Sequence, residues 1–308
     1  MGWLVALIIL LVVAAAPFVL ERRRTGPSRK AIAEATGRFA QLSDGRTYYQ
    51  WHGPKDGNVL VAIHGLSTPS YVWDGMIRSL TMMGFRVLTY DLYGRGLSDC
   101  PRGAQSRSFF VRQLRELLDD QGVDGEFSLM GFSMGGVIAS IMAAEQAERV
   151  ERLILIAPAG FDYAPKGLEL FMRDRPILGD WLNLVLGARM QRAALAGVAG
   201  AATAVPDLAA RQRAQIRQRG YLPSILSSRR HILRETLDEE MHELKRIYVP
   251  VLAVWGGADR TIPSSSIGKL AQLDRDARQA TVAGATHWLP ITHPREVMAH
   301  IQEFMRET

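Results

Sequence analysis

The pentapeptide Gly131-Phe132-Ser133-Met134-Gly135, followed by Gly136, holds one hydroxyl between two glycines at G-x-S-x-G spacing. A serine so placed can attack an acyl carbon when it sits at a sharp strand-to-helix turn. Gly131 and Gly135 must then lack bulk, and the serine takes a strained conformation that lifts its Oγ above the sheet. A chain with 28 glycines can produce this pattern by accident. Its weight comes from its position between the apolar run Ser128–Met130 and a helical stretch opening at Met134.

A serine hydroxyl is barely ionised near neutrality, so the nucleophile needs a base within reach. Of seven histidines, His287 is the candidate, because Gly284-Ala285-Thr286-His287-Trp288 directly follows the last strand-like run. His293, the nearest rival, abuts Pro294 and reads as a helix-start residue. A third group must orient the imidazole and stabilise its positive charge. Asp259, reached from Val251–Trp255 through Gly256-Gly257-Ala258, fills that role; its competing role is to shape a turn before Pro263, and Asp162 is the fallback. The oxygen that gains charge during attack needs backbone N–H donors. Met134, next after the nucleophile, supplies one, and Leu66 in His64-Gly65-Leu66-Ser67 supplies the other, with His64 and Gly65 bracing that loop.

These residues can meet only at the ends of strands. Short β-branched runs at Phe39–Leu42, Tyr48–His52, Val59–His64, Val87–Tyr90, Ser128–Met130, Leu153–Ala157, Val251–Trp255 and Ala280–Ala283 predict eight of them. Helical stretches alternate with them at Trp73–Met83, Phe109–Asp120, Met134–Glu145, Ser266–Leu273 and Pro294–Glu307, the pattern of a mostly parallel sheet covered on both faces. Asp44-Gly45 predicts a two-residue hairpin turn, so the sheet opens with an antiparallel pair. Between Pro158 and Pro250 the strand signal disappears, and residues 161–246 read as a lid of short helices. Ala193–Ala204, rich in small residues, predicts a flexible stretch or a close helix contact.

With the elbow, three further motifs in order carry a resemblance to the α/β-hydrolase superfamily: His64-Gly65, the turn Asp91-Leu92-Tyr93-Gly94-Arg95-Gly96-Leu97-Ser98, and Trp255-Gly256-Gly257-Ala258-Asp259. The resemblance covers about Phe39 to the C-terminus apart from the lid. It implies an α/β-hydrolase fold and a serine hydrolase cleaving carboxylic esters or thioesters through an acyl-enzyme on Ser133. Ser133 argues against dehalogenase and epoxide-hydrolase members, which carry Asp there. Carbon–carbon bond hydrolysis or acyl transfer is the alternative chemistry, and an inert membrane-tethered binding module the distant one. The Asp91–Ser98 turn reads as structural. Phe161, Leu168, Leu170, Phe171, Trp181 and Leu182 in the lid suggest apolar acyl-ester or lipid substrates, with core packing an equally natural role for them.

Trp3–Leu20 carries no charged residue and at 1.5 Å per residue reaches about 27 Å, enough for a spanning helix. Arg22, Arg23, Arg24, Arg29 and Lys30 all follow it, which predicts an uncleaved single-pass anchor over 1–20 with the hydrolase domain, 39–308, on the cytoplasmic side. A signal peptide cleaved after Ala14-Ala15-Ala16, releasing a secreted domain, is the alternative, although its basic residues belong before the apolar run. The basic segment 21–38 then acts as a tether. The net charge of +6 comes from this segment and from the lid, where Lys166–Arg230 holds eleven Lys/Arg against four Asp/Glu. No zinc finger, helix-turn-helix or RNP pattern accompanies that charge, so anionic lipid rather than nucleic acid is the expected counter-charge, with a solvated face of the lid helices an equal reading of the second cluster. Cys100, the lone cysteine, excludes an internal disulfide. No cofactor or metal is expected, because neither H-E-x-x-H nor G-x-G-x-x-G opening a helix is present.

Overall fold

A computed structural model describes residues 2–198 and 202–308. In chain order these form α1 (Gly2–Arg23), α2 (Arg29–Ala33), β1 (Arg38–Gln41), β2 (Arg46–His52), β3 (Val59–Ile63), α3 (Asp74–Met82), β4 (Arg86–Tyr90), α4 (Arg107–Asp120), β5 (Phe127–Phe132), α5 (Met134–Glu145) and β6 (Val150–Ile156). The lid helices follow as α6 (Gly167–Asp174), α7 (Leu178–Ala194), α8 (Leu208–Arg217), α9 (Tyr221–Arg230) and α10 (Asp238–Arg246). The chain closes with β7 (Val251–Gly256), α11 (Ser265–Leu273), β8 (Arg278–Val282), α12 (Leu289–Thr292) and α13 (Pro294–Glu307).

The eight strands build one sheet in the order β1-β2-β4-β3-β5-β6-β7-β8. β2 pairs antiparallel with both β1 and β4, and the remaining pairs are parallel. The hairpin differs from expectation by one residue. Leu42 and Gly45 exchange backbone hydrogen bonds of 3.0 and 3.3 Å, so the two turn residues are Ser43-Asp44.

Central strands are apolar on both faces because helices cover both. In β3, Val61 and Ile63 face the core beneath α4 and α5, while Leu60 and Ala62 face the core beneath α3 and α13. β5 is buried along its whole length, and so is α5 from Met134 to Ala143. The serine turn that joins them therefore has no freedom to drift.

The lid is fixed to the domain through Ile216, Tyr221, Leu222 and Ile225, a small core of its own against which Leu66 packs. Within Ala193–Ala204, Leu195–Val198 forms a 3₁₀ turn, and 199–201 lie outside the described residues. The segment 21–38 is not a free tether. α1 continues to Arg23, Ser28 caps α2 through the Ala31 N–H at 3.0 Å, and Glu21 accepts from the Gly220 N–H at 2.6 Å. Arg24 donates to the Ile216 carbonyl at 3.1 Å, and the Thr25 carbonyl accepts from the Arg219 N–H at 2.8 Å. Backbone groups freed at the end of α8 take partners from the N-terminal segment, which binds it to the lid.

Candidate active site

Ser133 lies between β5 and α5 at φ 53° and ψ −116°, a strained conformation for a residue with a side chain. The flanking glycines are imposed by backbone. A Cβ on Gly131 would stand 2.4 Å from the Gly135 carbonyl oxygen, and one on Gly135 would stand 2.1 Å from that of Ile63. Close packing of β5, α5 and β3 thus requires both positions bare.

Three side chains from three strand ends converge there. His287 Nε2 is 3.0 Å from Ser133 Oγ, and His287 Nδ1 is 2.8 Å from Asp259 Oδ2. Asp259 also shapes its own turn: Oδ1 accepts from the N–H groups of Thr261 at 2.7 Å and Ile262 at 3.0 Å. One carboxylate oxygen thus faces the imidazole while the other holds the turn. The carboxylate is buried in the pair while the imidazole keeps a 15% exposed edge toward the cavity. Asp162 instead hydrogen-bonds Ser265, and His293 bonds Thr292 at the head of α13. Neither reaches Ser133.

Met134 is the first residue of α5, so its N–H has no acceptor within the helix and stands beside the serine. Leu66 borders the same cavity. His64 is fully buried between two backbone groups: Nδ1 donates to the Gly65 carbonyl at 2.7 Å, and Nε2 accepts the Leu92 N–H at 2.9 Å. That pairing requires the neutral ring. Burial, helped by the nearby Arg95 charge, brings its pKa down to about 3. The unfolded chain takes up this proton near pH 6.5 and the folded chain only near 3, so stability present above pH 6.5 is lost as pH falls through that window. One such residue contributes a slope of up to about 1.4 kcal/mol per pH unit. In urea titrations stepped from neutral to acid pH, His64→Asn is expected to show a shallower fall than the parent chain; equal slopes would assign the acid sensitivity elsewhere.

The sequence did not single out Arg95. It is fully buried, donates from Nε to the Leu66 carbonyl at 2.9 Å and from Nη1 to the Tyr93 carbonyl at 2.9 Å, and reaches the lid through Ser228 Oγ at 2.8 Å. Gln105 and the Ser224 carbonyl, the latter at 3.4 Å, complete the set of acceptors, none of which is a carboxylate. Burial lowers its pKa to about 10, leaving it charged at neutral pH. The turn read as structural therefore also holds the Leu66 peptide and ties it to α9. A bulky cation between two glycines of a tight turn was the available signal; Gln105 and Ser228 offered none.

The cavity above Ser133 has a volume of about 720 Å³. Leu66, Phe132, Leu233 and Trp288 give it apolar walls, while Lys166, Glu169, Arg229 and Arg260 give it charged ones. Arg229 donates to Glu169 at 2.5 Å, and its buried Nε has no protein partner among the described residues. None of Phe161, Leu168, Leu170, Phe171, Trp181 and Leu182 lines this cavity. Phe161 is in the core against Trp255, and Leu168, Leu170 and Phe171 point outward.

The family model described as alpha/beta hydrolase fold matches residues 58–294, and the chain belongs to that family. A pimeloyl-[acyl-carrier protein] methyl ester esterase of Nitrosomonas europaea is 29% identical over 227 residues, covering 70% of this chain and 83% of its own. A 2-hydroxy-6-oxononadienedioate/2-hydroxy-6-oxononatrienedioate hydrolase of Cupriavidus pinatubonensis is 26% identical over 292 residues, covering 90% and 98%. Among solved structures, a bacterial membrane phospholipase A shares the fold with a TM-score of 0.70 at 24% identity, over 99% of this chain and 98% of that one.

Proposed function

We propose that the protein is a serine hydrolase that cleaves carboxylic esters, with Ser133 as nucleophile, His287 as general base and acid, and Asp259 as the group that orients it. The observation that carries this reading is the unbroken hydrogen-bond chain from Asp259 through His287 to a strained serine at a strand-to-helix turn. Ser133 Oγ attacks the ester carbonyl as His287 Nε2 takes its proton. The carbonyl oxygen becomes an oxyanion facing the N–H groups of Met134 and Leu66. Collapse breaks the bond to the alcohol, which leaves with the proton from His287, and water then releases the acid by the same steps in reverse order.

The esterase among the relatives supports ester chemistry, and the hydrolase of a ring-cleavage product keeps carbon–carbon cleavage as the second reading. The substrate proposed is an apolar acyl ester, including lipid-derived ones. α1 is proposed as a single-pass anchor with the domain on the cytoplasmic side, supported by its 22 apolar-rich residues and the basic residues that follow. Purified full-length protein is expected to react with a fluorophosphonate probe and to hydrolyse p-nitrophenyl esters of graded chain length in preference to peptides. A protein that stays unlabelled, or that cleaves vinylogous diketones faster than any ester, would overturn the ester assignment.

A further inference from the structure

Among the described residues outside α1, eight large apolar side chains are exposed, and six belong to two neighbouring lid helices or the bend between them: Leu168, Leu170 and Phe171 on α6, then Ile177, Leu178 and Val185. Ile177 is 79% exposed and is held at φ 65°, a conformation that costs a β-branched residue free energy. Exposed apolar side chains clustered on neighbouring helices mark a contact surface. The way α1 joins the lid identifies what meets it.

Pro17 lies inside α1 and has no N–H, so the Val13 carbonyl four residues earlier loses its helical partner. The Trp181 indole N–H of α7 donates to that carbonyl at 3.2 Å. The second fastening is at Glu21, which accepts from the Gly220 N–H. Val13 and Glu21 are eight residues apart, or about 12 Å along the helix, so the lid runs beside the inner half of α1. The hydrocarbon layer is about 30 Å thick, and α1 with 22 residues reaches about 33 Å. If the stretch beside the lid stood in water, Gly2–Val12 alone would have to span, and eleven residues reach only about 16 Å. A spanning α1 therefore carries Val13–Leu20 in the hydrocarbon, with Trp181 about 10 Å below the level of Leu20.

We infer that the outer surface of α6 and α7 rests in the bilayer beside α1, so that the lid is a lipid-facing surface and the substrate is a bilayer-resident ester. The inference rests on the proposed reading of α1 as a spanning helix. The surface has the chemistry the place requires. Its core is aliphatic and aromatic; Asp174 and Asp180 beside it are paired with Arg173 and Arg230, and the exposed Arg175 and Arg189 flank it and can extend their guanidinium groups to lipid phosphates. Glu169 lies in the cavity wall while its neighbours Leu168 and Leu170 face outward. A single short helix thus separates the cavity above Ser133 from the apolar surface. An ester held in the membrane reaches the serine by passing α6, without crossing bulk water.

The test uses full-length protein in phosphatidylcholine vesicles, with Cys100→Ser as background and one fluorophore-labelled cysteine at a time. Leu10→Cys reports on the span, Ile177→Cys and Phe171→Cys on the lid, and Met82→Cys on the exposed apolar residue of α3. Acyl-chain-brominated phosphatidylcholine is expected to quench the labels at 10, 177 and 171, and aqueous iodide the label at 82. Quenching of the label at 10 by bromolipid, with 177 and 171 as open to iodide as 82, would overturn the lid proposal and leave the anchor standing. A label at 10 that bromolipid does not reach overturns the spanning reading and the proposal with it. Function gives a second readout. Ile177→Asp is expected to slow hydrolysis of a vesicle-borne long-chain ester about tenfold while leaving a water-soluble short-chain ester unaffected. Equal loss on both substrates, or loss on neither, counts against the bilayer role.

Discussion

Replacement of Ser133 by alanine is expected to lower kcat by about a million-fold and to abolish covalent labelling by a fluorophosphonate. On the proposed mechanism the residual rate should still exceed the uncatalysed one by about a thousand-fold, because the cavity and the N–H groups of Met134 and Leu66 would remain to bind and polarise the ester. The fold should survive. Ser133 Oγ has one hydrogen bond in the structure, to His287, and the strained backbone at φ 53° is equally open to alanine. Loss of one such bond costs about 1 kcal/mol, a shift of about 3 °C in Tm for a domain of this size. Activity and stability therefore separate in this variant, and that separation distinguishes a chemical role from a packing one. Retained labelling of Ser133→Ala would place the nucleophile elsewhere.

The residues at the site were legible because they stand at strand ends that announce themselves locally. The runs before Gly131, Asp259 and His287 are short, apolar and bounded by glycine, so the strand ends could be found without knowing how the strands pair. The order of the sheet was not legible in this way. That β4 lies between β2 and β3 depends on pairings between residues far apart, which no local pattern encodes. The role of the lid's apolar residues was not legible for a related reason. An apolar helical face has the same composition whether it lines a cavity, packs on a core or meets lipid, and Leu168, Leu170 and Phe171 turned out to face away from the cavity. Arg95 was passed over because its partners, Leu66, Tyr93, Gln105, Ser224 and Ser228, are neutral groups from four separate segments. The docked N-terminal segment rests on contacts from Glu21, Arg24 and Thr25 to residues 192 to 199 positions away, and on Pro17, whose consequence is felt at Val13 and answered by Trp181, 168 residues away.

Removal of His287 is expected to be nearly as damaging as removal of Ser133, and the double variant Ser133→Ala/His287→Ala little worse than either alone. The physical ground is that the two act on one proton. Without the imidazole the hydroxyl has nowhere to send its proton at 3.0 Å, and without the hydroxyl the imidazole has nothing to activate. Each deletion thus forfeits the same transition-state stabilisation, and a second deletion has nothing left to remove. Asp259→Asn should lose no more than His287→Ala, because the amide can still occupy the place beside Nδ1 while offering the wrong partner for its N–H. The same change leaves Oδ1 or its amide counterpart at the N–H groups of Thr261 and Ile262, so its turn should be weakened in only one of the two possible amide orientations. His293→Ala is the control, since its ring bonds Thr292 and not the serine. Single-turnover rates for the four single variants and the double variant, measured on one p-nitrophenyl ester, decide the matter. Additive losses in the double variant, or a dead His293→Ala beside an active His287→Ala, would show that Ser133 and His287 do not work as a unit.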